Sequence, residues 1–246
     1  MKIAELTLIS LIILSIPIQA DETRSLPKVK HMIDTHIHLY DTSRDGGVPW
    51  PPEEDTVLYK PHLPKEFQNE SKQSGLTGVI IVEASHLLKD NTWVLKLVNG
   101  NDFFVGLVGN VNPYRKDFVK QMESLKKDSR FVGVRARNGG NQKKIDFTNP
   151  NIIKNFNYLA KNGLSLDILT NGGGVEAVKK IDKLAKKLPS LHIITNHVIG
   201  YDFDGKTVDP EWTKAVETLA KNKNVWCKIS GLYQSCLLYT SDAADK

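Results

Sequence analysis

Short apolar segments alternate with segments of helical periodicity along most of this chain. Apolar runs of about four to eight residues that do not alternate with polar ones are typical of parallel strands covered on both faces. The strands predicted in this way are Ile33–Ile37, Gly78–Val82, Phe103–Val108, Phe131–Val134, Leu164–Leu169, Leu191–Thr195 and Val225–Ile229. The helices predicted between them are Lys65–Gln73, Asn91–Val98, Lys116–Lys127, Asn151–Lys161, Gly174–Leu188 and Pro210–Lys221. This alternation predicts an α/β protein with a parallel sheet.

Two architectures fit these strand–helix steps, a doubly wound open sheet and a (β/α)8 barrel. Polar side chains at the carboxyl ends of the predicted strands favour the barrel; they are His36, His38, Glu83, Asn110, Arg135 and His197. In a barrel those ends share one rim, whereas in an open sheet only the ends beside a switch point meet. We therefore expect an α/β fold of the (β/α)8 TIM-barrel type, truncated after about seven strands because an eighth would lie beyond Ser235.

The segment Met32–Tyr40 places two histidines on one face of the first predicted strand. His36 and His38 are separated by one residue. Side chains at i and i+2 of a strand point the same way, about 6–7 Å apart at the backbone. Such a pair can bind one metal ion or one polar substrate. The alternative interpretation is a pair of exposed histidines at a strand end.

A long proline-rich loop, Asp41–Pro64, follows this strand. Its prolines exclude a helix or a central strand, and structureless loops longer than about 15 residues are usually functional or disordered. Trp50 and Tyr59 provide the loop with large aromatic side chains that can pack against the protein. We therefore expect an ordered flap over the site, with Trp50 as a substrate-binding residue; a mobile surface loop is the alternative.

Arg135 and Arg137 alternate in the fourth predicted strand. A guanidinium group matches a carboxylate, so the pair predicts an acidic ligand. The alternative for Arg135 is a salt bridge to Glu83 or Asp167 inside the rim. Asp167 would orient Arg135 or a ligand histidine without itself contacting the substrate or the metal ion. Alternatively, it would form a simple buried ion pair. Asn110 is a further candidate for substrate binding.

Composition and charge narrow the classes of partner. The chain has 246 residues, of which 40% are hydrophobic and 25% charged, and its net charge is +5. This is ordinary globular composition. The lysines are spread over predicted helices and do not form a basic patch with aromatic residues, so we expect no nucleic-acid partner.

Both ends of the chain carry segments outside the predicted barrel at 32–235. Residues 6–18 form an apolar run before Gln19-Ala20, so residues 1–20 are typical of a secretory signal peptide and too short for a membrane span. With a polar leader at 21–31, this predicts a periplasmic or secreted protein with no stable membrane span in its mature form. Residues 236–246 resemble the translation of a sequencing-library adapter, so we expect a non-native tail there.

Several short motifs occur in a fixed order: I-D-T-H-I-H (33–38), W-P-P (50–52), V-E-A-S (82–85), G-V-R (133–135), L-S-L-D-I-L (164–169), T-N-H-V-I-G (195–200) and K-I-S-G-L (228–232). The ordered set resembles the amidohydrolase-related (amidohydrolase 2) family, in its fuconolactonase and 2-pyrone-4,6-dicarboxylate lactonase branch. This resemblance implies a (β/α)8 barrel and hydrolysis, most typically the opening of a lactone ring.

The resemblance also assigns roles to residues. His36 and His38 match the histidine pair of strand one, His197 the histidine after strand six, and Arg135 a substrate-binding arginine. The family's aspartate after strand eight has no counterpart, and neither does the strand-five histidine of its dinuclear relatives. A single divalent metal ion, zinc, would be held by the three histidines, with Glu83 as an additional ligand. In the metal-free alternative the histidines donate to the oxyanion and the absent aspartate activates water.

These observations together predict an exported hydrolase that opens a sugar or carboxylated lactone, with this small molecule as its partner. A non-catalytic ligand-binding barrel is one alternative, and a decarboxylase or amide hydrolase on the same scaffold is another. A lactonase consumes water and releases a proton, whereas a decarboxylase needs no attacking water. A proton-release assay therefore separates the two reactions.

Overall fold

The computed structural model describes residues 30–138, 145–170, 174–203 and 207–231. The strands in these ranges are β1 (Ile33–Ile37), β2 (Gly78–Val82), β3 (Phe104–Gly109), β4 (Phe131–Asn138), β5 (Ser165–Thr170), β6 (Ile193–Thr195) and β7 (Val225–Cys227). The helices are α1 (Pro64–Glu70), α2 (Leu88–Leu97), α3 (Phe118–Leu125), α4 (Pro150–Lys161), α5 (Val175–Lys187) and α6 (Pro210–Leu219). Each helix connects two consecutive strands, as the alternating pattern predicts.

The strands form one parallel sheet in the order β1 to β7, and this sheet is strongly curled. Strands about 4.8 Å apart would place β1 and β7 about 29 Å from each other in a flat sheet. Instead, Nζ of Lys228, the residue directly after β7, lies 3.0 Å from the carbonyl oxygen of Thr35 in β1. The predicted fold, a (β/α)8-type barrel with about seven strands, is therefore confirmed, and the open sheet is excluded.

The helices bury their apolar faces against the sheet. The buried side chains of α5 are Val178, Ile181, Leu184 and Ala185, and those of α4 are Ile152, Phe156 and Leu159. They meet strand residues that are themselves fully buried, such as Leu166 and Ile193. Each buried valine, leucine, isoleucine or phenylalanine among them contributes about 1.5–3 kcal/mol on burial. This layer fixes the strand ends that carry the polar residues of the rim.

Several predicted boundaries differ from the structure, most of all the end of β4, which lies at Asn138 rather than at Val134, and two further differences involve identifiable tertiary contacts. α2 begins at Leu88 rather than at Asn91, and Asn91 is a buried residue inside this helix whose side chain binds the backbone of Asn110. β7 ends at Cys227 rather than at Ile229. There the carbonyl oxygen of Lys228 accepts a hydrogen bond from the turn after β6 and no longer continues the sheet. Neither tertiary contact leaves a trace in the apolar pattern.

The loop between β1 and α1 folds back on itself at the carboxyl ends of the strands. Tyr40 and His62 form an antiparallel bridge with N–O distances of 3.0 and 2.8 Å, and the Tyr40 hydroxyl donates to the Leu58 carbonyl. Arg44 connects the loop to α2 through an ion pair of 2.7 Å with Asp90. The loop is therefore ordered, in agreement with its interpretation as a flap.

No helix in the described ranges is long and apolar enough to cross a membrane. The expected signal peptide at 1–20, the leader residues 21–29 and the expected tail at 236–246 lie outside the described residues. Export and a foreign tail therefore stay predictions from the sequence.

Candidate active site

Three histidines from distant parts of the chain meet at the carboxyl-terminal rim of the barrel. The ring centroids of His36 and His38 are 5.1 Å apart, and those of His36 and His197 are 4.7 Å apart. The first two leave β1 and its carboxyl end, while His197 lies just after β6. The structure thus brings together the three imidazoles that the sequence predicts as the centre of the site.

Hydrogen bonds orient two of these rings. His38 Nδ1 lies 2.9 Å from the carbonyl oxygen of Val82, and because a carbonyl oxygen only accepts, this nitrogen carries the proton. His197 Nδ1 lies 3.0 Å from the Ser230 hydroxyl. His36 Nδ1 is buried and has no hydrogen-bond partner within the part of the chain that the structure describes. Because Nδ1 of neutral His38 carries the proton, the lone pair of this ring lies on Nε2.

Burial and neighbouring cations keep the central imidazoles neutral. Burial is the largest cause that lowers the pKa of His36 to about 2, and His38, Lys228, Arg135 and His197 lower it further. Burial, followed by Arg135 and Lys228, also holds the pKa of His197 below its ordinary value of 6.5. A neutral imidazole offers one lone pair and one N–H group. His36 is thus a poor proton acceptor but a suitable hydrogen-bond donor or metal ligand.

Arg135 pairs with Glu83, one of the two partners that the sequence offers. Its Nε donates to Oε1 of Glu83 at 2.7 Å, both side chains are 4% exposed, and its Nη2 donates to the Glu83 carbonyl oxygen. Nη1 faces Nε2 of His36 at 3.5 Å, at the long limit of a hydrogen bond. The guanidinium is thus held by an acid on one side and directed at the histidine cluster on the other.

Asp167 belongs to a second, partly buried pair. Its Oδ2 lies 2.8 Å from Nζ of Lys228 and accepts from Nδ2 of Asn196 at 3.0 Å. The same lysine reaches the carbonyl oxygen of Thr35 in β1. Asp167 therefore orients Lys228, not Arg135, although Arg135 and Asp167 are neighbours across β4 and β5.

The remaining predicted site residues lie in different places. Trp50 lines the cavity, with its ring 5.1 Å from that of His38. Asn110 is buried and donates through Nδ2 to the Ser85 carbonyl, so it connects the loops after β2 and β3 and does not join the histidine cluster. Arg137 lies in β4 opposite Leu169, and its side chain is outside the described part of the molecule.

Asn196 and Ser230, which we did not predict, also belong to the site, and so does Lys228, for which the sequence leaves anion binding and pairing with an acid as alternatives. Asn196 directly precedes His197, while Lys228 and Ser230 follow β7. The signal that could have found them is the one that identified Arg135, a polar residue at the carboxyl end of an apolar strand. Their partners depend on the closure of the barrel, which the sequence does not show.

The rim opens into a cavity of about 1580 Å³ along the inside of the curled sheet. The residues of the site that line it are His36, His38, Trp50, Arg135, Asp167, His197 and Lys228. Small-molecule sites are typically about 300–1,000 Å³, so a ligand of monosaccharide size fits this space.

The histidine cluster suits a divalent metal ion in chemistry and spacing. Three imidazoles around zinc, each with a Zn–N distance of about 2.0–2.1 Å, would have ring centroids about 5 Å apart. The observed separations are 5.1 and 4.7 Å. In the arrangement described for this chain, however, no three His, Cys, Asp or Glu side chains form a metal centre. Glu83 is bound to Arg135, and Arg135 would have to move away from His36 for a metal ion to enter.

A curled parallel barrel with histidines, arginine and lysine converging on a cavity at its carboxyl-terminal rim has the site of a barrel enzyme. The chain belongs to the amidohydrolase family, whose sequence profile matches residues 33–246. Membership of this family confirms the prediction of a hydrolase. The matched range includes 236–246, the segment for which a foreign origin stays a prediction.

Individual relatives agree with the lactonase-like branch that the motifs resemble. An L-fucono-1,5-lactonase of Burkholderia ambifaria is 26% identical over 204 residues, which are 82% of this chain and 68% of the relative. A Burkholderia multivorans amidohydrolase with bound zinc has a TM-score of 0.71 at 19% identity, over 83% of this chain and 71% of the other. A probable 2-pyrone-4,6-dicarboxylic acid hydrolase from Acinetobacter baumannii, with citric acid bound, has a TM-score of 0.62 at 20% identity. The match covers 82% of this chain and 71% of that chain.

Proposed function

We propose that this protein hydrolyses the ester bond of a small lactone, either sugar-derived or carboxylated, by attack of an activated water molecule. The observation that supports this best is the placement of neutral imidazoles and the Arg135 guanidinium on the wall of one cavity. The names of two relatives, a fuconolactonase and a probable pyrone-dicarboxylic acid hydrolase, point to the same class of substrate.

In the proposed reaction His38 acts as the general base. The carbonyl oxygen of Val82 holds its Nδ1 proton and leaves the lone pair on Nε2, where it can accept a proton from water. The water oxygen then forms a bond to the lactone carbonyl carbon, and the carbonyl oxygen takes up the negative charge. His36 is unsuited to the same task, because its pKa is lowered to about 2.

Arg135 and Lys228 supply positive charge for the oxyanion and for a substrate carboxylate. Both are held by a carboxylate, from Glu83 and Asp167 respectively, and both line the cavity. Donors that are fixed before the reaction stabilise developing charge without reorganisation. When the intermediate collapses, the ring C–O bond breaks and the leaving alkoxide takes the proton from His38. The product acid then releases one proton to solvent at neutral pH.

Zinc is a second component of the proposal. If the ion is bound, His36, His38 and His197 would hold it, and it would lower the pKa of water and polarise the carbonyl group. His38 would then serve as a ligand and not as the base. The ring separations and the zinc in a related amidohydrolase support this form.

The test is a proton-release assay of the full chain against a panel of sugar lactones and carboxylated lactones. We expect hydrolysis of at least one, and a loss of about 100-fold or more in kcat/KM for His38→Gln, the scale of a lost general base. His86→Gln is the matched control, because His86 is exposed after β2 at the same end of the barrel. Dialysis against a chelator followed by added zinc distinguishes the two forms of the mechanism.

Three results would contradict the proposal. Tight binding of a lactone without turnover would identify a binding protein. Release of CO2 without consumption of water would identify a decarboxylase. Equal activity of His38→Gln and His86→Gln would remove the histidine cluster from the reaction.

A further inference from the structure

His197 begins a short segment with an unusual backbone. The φ angles of His197, Val198, Ile199 and Gly200 are 50°, 51°, 61° and 66°. Positive φ is rare for residues other than glycine, and for β-branched residues such as valine and isoleucine it is a genuine outlier. We call this segment the left-handed turn. Such a conformation persists only where the surrounding structure imposes it, and it clusters at functional sites.

Thr170, the last residue of β5, holds one side of the left-handed turn. Its hydroxyl donates to the carbonyl oxygen of Ile199, and Thr170 is 3% exposed. Gly200 packs so closely on the Thr170 backbone that a methyl group there would collide with the Thr170 carbonyl oxygen. The turn is therefore joined to β5 by a buried hydrogen bond and by direct backbone packing.

Two further contacts hold the other side of the left-handed turn. The amide of Val198 donates to the carbonyl oxygen of Lys228 at 3.0 Å. Gly231 lies against His197, and a Cβ added at this glycine would be 3.1 Å from the Cβ of His197. With Ser230 at its Nδ1, the imidazole is enclosed between the turn and the segment after β7.

The turn determines where the His197 ring points. A right-handed conformation at His197 would direct its Cβ away from its present position, since the Cβ direction follows φ and ψ. In the left-handed conformation the ring lies 4.7 Å from that of His36. A contact that stabilises the turn thus also aims the imidazole.

We propose that Thr170 is a positioning residue that aims His197 at the histidine cluster by anchoring the left-handed turn to β5. The consequence for catalysis rests on the proposed function, whereas the placement of the ring does not. Within the described ranges no hydrogen bond joins Thr170 to His36 or His38; it acts through the backbone of Ile199 and Gly200. A merely structural role would stabilise the fold and leave the state of the His197 ring unchanged.

The test compares Thr170→Val, which keeps the shape and removes the hydroxyl, with Thr170→Ser, which keeps the hydroxyl. Thr195→Val is the matched control, because Thr195 is also buried at the end of a neighbouring strand and donates to a backbone carbonyl, that of Trp226, at 3.2 Å. The readout is the tautomer pattern of His197 in long-range ¹H–¹⁵N spectra of the full chain at one neutral pH, assigned by its loss in His197→Gln.

We expect a single-tautomer pattern for His197 in the wild type, in Thr170→Ser and in Thr195→Val, and an averaged pattern in Thr170→Val. For lactone hydrolysis we expect kcat/KM to fall about 10- to 100-fold in Thr170→Val, the cost of a misplaced catalytic group. Thr170→Ser should keep most of the activity. If no lactone is hydrolysed but the His197 pattern changes as described, the positioning role stands and only the proposed function fails.

An unchanged His197 pattern in Thr170→Val would overturn the proposal. An equal change in Thr195→Val would overturn it as well, because it would indicate general loosening of the rim. Should Thr170→Val not fold, Thr170→Cys replaces it, since a thiol is a weak donor. A wild-type pattern in that variant would likewise contradict the proposal.

Discussion

Two arginines, Arg130 just before β4 and Arg135 within it, use their guanidinium groups in different ways. Arg130, just before the strand, binds both oxygens of Asp128 at 2.6 and 2.9 Å. Its Nη1 and Nη2 also donate to the carbonyl oxygens of Val98 and Leu95 at the end of α2, at 2.8 and 3.0 Å. Every nitrogen of this group has a partner in the protein. Arg130 therefore joins a helix end to the sheet.

Arg135, inside the same strand and beside the histidine rim, is equally well held by Glu83 but also faces the histidine cluster. Its pair is 4% exposed on both sides, whereas Arg130 and Asp128 are 21% and 29% exposed. In barrel enzymes the carboxyl-terminal face carries the chemistry and the amino-terminal face carries stability. The comparison shows that an arginine's partners, rather than how completely it is bonded, distinguish the two roles.

The largest effect should follow from Arg135→Met, which leaves the buried Glu83 carboxylate without its guanidinium. Breaking a buried ion pair on one side costs about 3–5 kcal/mol, so we expect the free energy of unfolding in urea to fall by that amount. Glu83→Gln added to Arg135→Met should recover part of it. A fall in the free energy of unfolding no larger than that of Arg130→Met would contradict the difference between the two arginines.

Arg130→Met should have a smaller effect on stability and none on the reaction. Its ion pair is partly exposed and screened by solvent, so the loss comes mainly from hydrogen bonds to carbonyl oxygens and should be about 1–2 kcal/mol. Lactone hydrolysis by the folded variant should stay at the wild-type level. A large fall in kcat/KM with normal folding would show that the amino-terminal face also serves catalysis.

The smallest effect is a dependence on pH at the Arg130 end. The hydrogen bond from Arg130 is the largest cause that lowers the pKa of Asp128 below its ordinary 3.8. A carboxyl whose pKa is lower in the folded state than in the unfolded state stabilises the fold at any pH above its unfolded-state pKa. This contribution disappears as the pH falls through its folded-state pKa. The stability difference between wild type and Asp128→Asn should therefore be constant from pH 5 to 7 and shrink below about pH 4. A difference that grows on acidification would contradict this assignment.

The sequence alone determined the order of the elements and the centre of the site. Continuous apolar runs identify parallel strands because such strands are covered on both faces. The rim follows because the carboxyl ends of parallel strands lie together. His36, His38 and His197 could be assigned to one cluster on this basis, since each stands at the end of an apolar run. Arg135 could be placed beside them for the same reason.

Only the tertiary structure decided which polar groups pair. Across β4 and β5 Arg135 is the neighbour of Asp167, yet Arg135 binds Glu83 after β2, while Asp167 binds Lys228 after β7. Inside a barrel, side chains from alternate strands share a layer, so even-numbered strands supply one pair and odd-numbered strands the other. Pairing therefore depends on the closure of the sheet, a property that no local pattern of residues contains. The left-handed turn at His197 arises in the same way, because contacts from β5 and from the segment after β7 impose a backbone that its own residues disfavour.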